Sequence, residues 1–219
     1  MDFIFGILGF AGGLLCAVGD ILFDLKGKGN VKSGPASILD SNWMKMSEWR
    51  FRASILMAAL GVPLYLLGFI GMSRQLSIGN SALGTAFLVF AAIGSCGGFF
   101  IHAMVCCFPI MRKSLTKSGV DDNAQYEMFG KVFNAIKIPF IAMFCSLVVA
   151  TSIVLIVAIL VGCLQVPLVF VALNPLALML IGLVFRLIDK ERFADLPGII
   201  MPSLGIAMIG LMAAISAWH

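Results

Sequence analysis

Ile138 to Val161 reads IPFIAMFCSLVVATSIVLIVAILV, 24 consecutive residues without a charge. A hydrocarbon core of ~30 Å is crossed by about 20 apolar residues in a helix. Only helices and closed barrels satisfy every backbone N–H and C=O in lipid. A barrel requires alternating segments of about 10 residues, and this run does not alternate. It therefore predicts a transmembrane helix, and that reading sets the class of the chain.

Five other stretches share its character: about 3–23, 53–72, 81–108, 166–185 and 196–218. Together they predict an all-α, polytopic transmembrane bundle of six helices, a single domain over 1–219. Composition agrees, with 61% hydrophobic and only 12% charged residues in 219. Soluble domains carry roughly 25% charged residues. The first run follows Met1-Asp2 with no basic n-region and no small-residue cleavage pattern, so it reads as a retained helix.

The connections alternate in charge. Lys26, Lys28, Lys32, Lys45, Arg50 and Arg52 fall between spans 1 and 2. Arg112, Lys113, Lys117, Lys131 and Lys137 fall between spans 3 and 4 or on their flanks. Arg186, Lys190 and Arg192 follow span 5. Of the basic residues only Arg74 lies on the other side. Cytoplasmic loops carry the Lys/Arg excess, so loops 24–52, 109–137 and 186–195 are expected inside a cell (plasma or inner) membrane. Both termini are then non-cytoplasmic. A net charge of +4 spread over three loops, with no basic domain, predicts no nucleic-acid partner. Membrane lipids are the expected partners.

Charged groups within a span cost at least about 2.5–3.5 kcal/mol at its centre and need a partner or a function. Asp20 and Asp24 lie one turn apart at the inner end of span 1. Either they pair with Lys26, Lys28 or Lys137, or they face an inner cavity. His102 follows Ser95 by seven residues on one face of span 3. Asn134 and Lys137 lie at the entrance of span 4, and Arg186 at the exit of span 5. The shared depth of Asp20, Asp24, His102, Asn134, Lys137 and Arg186 predicts a polar cavity open to the cytoplasm. Asp20 would be its ion- or proton-responsive group, and Lys137 or Arg186 would hold an anionic head. Ser95 and Asn174 are further candidates for substrate binding. Pro175 beside Asn174 is expected to bend span 5, as Pro63 and Pro202 bend spans 2 and 6.

No metal and no cofactor are expected. Catalytic zinc takes three protein ligands, and the only other histidine is His219. Phosphate-loop, nucleophile-elbow and zincin motifs do not occur. The six cysteines sit in or beside apolar runs without a C-x-x-C, as small hydrophobes do. Trp43 and Trp49 read as interfacial anchors. Asp121 to Phe133, with Asp121 or Asp122 as a cap, reads as an amphipathic segment lying along the inner surface or lidding the bundle. Gly9 and Gly13, and likewise Gly94 and Gly98, are spaced for close helix approach. A homo-oligomer stays open.

The stretches Gly19-Asp-Ile-Leu-Phe-Asp-Leu25, Asp40-Ser-Asn-Trp43, Trp49-Arg-Phe51 and Gly61-Val-Pro-Leu-Tyr-Leu-Leu-Gly68 resemble an uncharacterised family of bacterial polytopic membrane proteins, over the whole chain. That resemblance implies no activity. The Gly-Asp pair late in a span is also distantly similar to lysoplasmalogenases and ceramidase-like intramembrane hydrolases. Their chemistry would fall on Asp20, Ser95 and His102. The expected function is binding or transport of a small amphipathic or lipid-like molecule. The alternatives are an intramembrane lipid hydrolase using Asp20 and His102, and a structural or accessory subunit.

Overall fold

The computed structural model describes residues 1–34 and 37–218, and among these six α-helices carry the fold. They are α1 (Asp2–Asp24), α2 (Glu48–Gly79), α3 (Ser81–Lys117), α4 (Asp122–Leu160), α5 (Pro175–Ile188) and α6 (Met201–Trp218). All but α5 are long and apolar enough to cross a membrane. Large aliphatic side chains such as Ile4, Val89, Ile153 and Leu183 stay exposed around the bundle. A belt of this kind is compatible with a membrane protein and is rare on a soluble monomer.

The helices depart from the hydropathy spans in three places. Residues 109–137 are not a loop: α3 runs on to Lys117, and α4 begins at Asp122. Hydropathy measures solubility in lipid, and polar residues that fail that measure still propagate a helix. Asp121 caps α4 by accepting from the Asn123 and Ala124 backbone N–H groups. The amphipathic segment after it is thus the first half of α4, with a π-helical stretch Cys145–Ala150 further on.

Span 5 is also broken. Residues Leu168–Ala172 form a 3₁₀ turn, and α5 starts afresh at Pro175. Pro175 does not bend a helix here. It occupies the first helical position, where its missing N–H costs nothing, and Asn174 caps it through the Ala177 N–H. The 14 residues of α5 span roughly 21 Å. Finally, the connection from α1 to α2, expected as loop 24–52, is partly structured, and α2 already begins at Glu48. Lys32–Ser33 and Leu39–Asp40 pair as antiparallel strands β1 and β2, followed by a 3₁₀ turn at Ser41–Met44. Trp43 of that turn is 3% exposed and sits in a core with Phe23, Phe51 and Phe108. Of Trp43 and Trp49, the two expected interfacial anchors, only Trp49 is exposed.

α1 packs most extensively against α2 and α6. Its buried face is made of small residues: Gly6, Gly9, Gly12, Gly13, Cys16, Ala17 and Gly19. A Cβ on Gly9 would stand 2.5 Å from Gly68 Cα, and one on Gly12 2.6 Å from the Gly61 carbonyl. Only glycine permits such backbone contact. Gly13 faces Ala207 and Gly94 faces Leu147, so these spacings serve packing within the chain. The Phe3 and Trp218 rings lie 5.2 Å apart, which puts the start of α1 and the finish of α6 at one end of the bundle. Arg74 pairs with Asp2 at that end, 3.0 Å apart. Lys26, Arg50, Arg112 and Lys113 gather at the other, basic end.

Candidate functional site

The close seat of α1 brings its short carboxylates deep into the bundle at the basic end. Asp20 is 8% exposed. The Ser203 hydroxyl of α6 donates to its Oδ2 at 2.5 Å, and His102 Nδ1 of α3 lies 3.4 Å from its Oδ1. His102 Nε2 is 2.8 Å from Ser54 Oγ of α2, and the Ser54 hydroxyl donates to the Gly19 carbonyl at 2.7 Å. Four helices thus meet through one polar chain, Ser203–Asp20–His102–Ser54–Gly19. With the Ser54 proton spent on Gly19, His102 Nε2 is the donor to Ser54. One proton then lies between His102 Nδ1 and Asp20, because two bare acceptors would repel.

Asp20, His102 and Ser54 stand in the order of a hydrolytic triad. The nucleophile position is wrong for that use. Ser54 is 0% exposed, and its hydroxyl is committed to a backbone carbonyl. Ser95 does not join the chain; it donates to the Ala91 carbonyl of its own helix at 2.6 Å. Among the described residues no group of three or more His, Cys, Asp or Glu is arranged to hold a metal, so a zinc-hydrolase ligand set does not fit.

A second polar group adjoins the first. The Lys26 ammonium, with its side chain 4% exposed, pairs with Asp24, with Asp40 at 3.3 Å and with Asp195 at 3.4 Å. Burial alone would lower the pKa of Lys26, but the three carboxylates outweigh it and hold the ammonium above the ordinary lysine range. Asn30 donates to Asp40 at 2.5 Å, and Asn42 donates to the Lys26 and Lys28 carbonyls. Other cations act as fasteners. Arg50 caps the α1 C-terminus through the Ile21, Leu22 and Leu25 carbonyls. Arg112 donates to the Asp40 carbonyl and Lys113 to that of Met46, docking the α1–α2 connection onto α3.

Both groups border a cavity of about 630 Å³. Asp20, Asp24, Asp40, Lys26, Lys32 and His102 are the charged or ionisable part of its wall. Phe133, Phe140, Met143, Phe144 and Leu147 of α4 form an apolar wall along its length. The structure does not bring the other candidates into this wall. Asn134, Lys137 and Arg186 are exposed and are not among the residues that line it. Asn174 is buried as the cap of α5, donating to the Val171 carbonyl as well. Ser54, Ser203, Lys26, Asp40 and Trp43 were not foreseen as site residues. A serine in an apolar helix or a tryptophan in a loop carries no signal by itself. In the sequence Lys26 reads only as a possible partner of the two aspartates, Trp43 only as an interfacial anchor, and Asp40 only as part of the stretch Asp40-Ser-Asn-Trp43.

No curated protein and no solved structure matches the chain. One family model does, over residues 1–218, and the chain accordingly belongs to the family of unknown function DUF6796.

Proposed function

We propose that the protein is a multi-pass cell-membrane protein that binds, and carries between membrane and cytoplasm, a small amphipathic molecule. The observation behind this reading is the cavity of about 630 Å³, with ionisable groups on one side and the aromatic face of α4 on the other. Ligand sites commonly measure roughly 300–1,000 Å³, mostly apolar with a few polar groups that orient the ligand. The orientation rests on the fourteen basic residues assigned to one side against Arg74 on the other. In this reading the short α5, with the turn before it, completes a sixth crossing, and the termini are outside.

Native mass spectrometry of protein purified in mild detergent tests the reading. An amphipathic adduct is expected on the wild type. It should be lost in Leu147→Trp, which fills the cavity. Equal adduct on both proteins, or none released by competing amphipaths, would remove the cavity from consideration.

A second reading, an intramembrane hydrolase, draws on the order of Asp20, His102 and Ser54. It requires Ser54 to turn from Gly19 into the cavity. A fluorophosphonate probe distinguishes the readings: labelling that vanishes in Ser54→Ala would establish the hydrolase.

A further inference from the structure

We infer that the head of the bound amphipath is a cationic amine or quaternary ammonium with an oxygen acceptor close to it. This rests on the cavity being a binding site and names the chemistry it selects. Three carboxylates, Asp20, Asp24 and Asp40, belong to the wall, with two lysines. Lys26 is already engaged by Asp24, Asp40 and Asp195. Lys32 is exposed at the rim. Among the described residues no lysine or arginine pairs with Asp20, whose partners are Ser203 and His102. Around Lys26 three carboxylates share one ammonium, so an anionic head would meet carboxylates in excess, whereas a cation beside Asp20 takes the place of the proton that Asp20 shares with His102.

Aromatic rings add a surface of the same preference. Phe23, Trp43, Phe108 and Phe133 are part of the cavity wall. Phe23 and Trp43 stand 5.7 Å apart, ring centre to ring centre. Ring faces beside carboxylates are how proteins hold alkylated ammonium groups, through cation–π attraction.

The oxygen acceptor follows from a separate observation. Trp43 is 3% exposed, and its indole Nε1 has no hydrogen-bond partner. Buried N–H donors are almost always satisfied. Trp43 belongs to the wall of the cavity, and a shift of its ring toward that space would give its buried N–H a ligand oxygen as partner. The α4 face then receives the alkyl chain.

The experiment uses the full chain in nanodiscs and four probes of equal chain length: dodecylphosphocholine, dodecyltrimethylammonium, dodecanol and laurate. Binding is read as Kd. Both ammonium probes are expected to bind at least tenfold more tightly than laurate, with dodecylphosphocholine the tighter. Asp20→Asn should bring the ammonium probes down to the level of dodecanol. Trp43→Phe, which keeps a ring but removes the N–H, should erase the advantage of dodecylphosphocholine over dodecyltrimethylammonium. Laurate binding as tightly as the ammonium probes would overturn the inference while leaving the cavity an amphipath site. No binding by any probe would overturn both. Should Asp20→Asn fail to fold, the ranking of probes on the wild type decides by itself.

Discussion

Replacing Lys26 by methionine is expected to cost about 3–5 kcal/mol of stability, the usual result of removing one partner from a buried ion pair. The structure supports the upper class of effect. The Lys26 side chain is 4% exposed, and those of Asp24 and Asp40 are 8% and 6% exposed. Both would be left as buried anions without a counter-ion. Asp195 is 25% exposed and can rehydrate. Asp195→Asn should therefore cost no more than about 1 kcal/mol, as for a solvent-screened pair.

The pH dependence has a definite sign. The folded Lys26 holds its proton more tightly than the unfolded chain does. Its contribution is complete below the unfolded lysine value of about 10.4 and is lost as pH rises through the folded value. The wild type should weaken in that alkaline window through this group, and Lys26→Met should not. Unfolding in detergent, by heat or by added dodecyl sulfate, followed by tryptophan fluorescence, measures both. A Lys26→Met protein within about 1 kcal/mol of the wild type, or equal to Asp195→Asn, would refute the claim that the cluster is a buried counter-ion for two anions.

Other outcomes follow from the same geometry. Gly9→Val should abolish folding or strongly lower the unfolding temperature, because its Cβ would meet the Gly68 backbone. Gly130→Ala, with nothing within 4 Å, should be neutral or stabilising by up to about 1 kcal/mol. Ser54→Ala leaves His102 Nε2 and the Gly19 carbonyl without their shared partner. A loss of about 1–3 kcal/mol by thermal unfolding is expected; an unchanged protein would show that the polar chain does not hold the helices. Asn174→Ala removes the α5 cap and should cost about 1 kcal/mol. For orientation, Lys117→Cys and Lys190→Cys should react with an impermeant maleimide only from the cytoplasmic side, and Asn80→Cys only from outside. The reverse pattern would invert the proposed topology.

Much of the bundle was legible in residue order. Long apolar runs locate helices because lipid leaves the backbone no other partner, and five of the runs are long helices in the fold. The sixth misled because Pro167 and Pro175 interrupt hydrogen bonding without lowering hydropathy. The stretch after Asp121 misled in the opposite sense, being polar and yet helical.

The site divides along the same line. Asp20, Asp24 and His102 were visible because an ionisable group in an apolar run is costly and so conspicuous; all three belong to the cavity wall. Depth along a helix is written in residue order. Which side chains close around a cavity is not, and Asn134, Lys137 and Arg186 stay outside the wall to which Asp20 belongs. The sequence by itself determined which segments are apolar helices, which end is basic and which charges lie inside an apolar run. Only the tertiary structure decided that glycine contacts draw α1 against α2 and α6. That approach places Ser54, Ser203, Lys26, Asp40 and Trp43 around the same carboxylates. Their meeting depends on distances between helices that no single helix encodes.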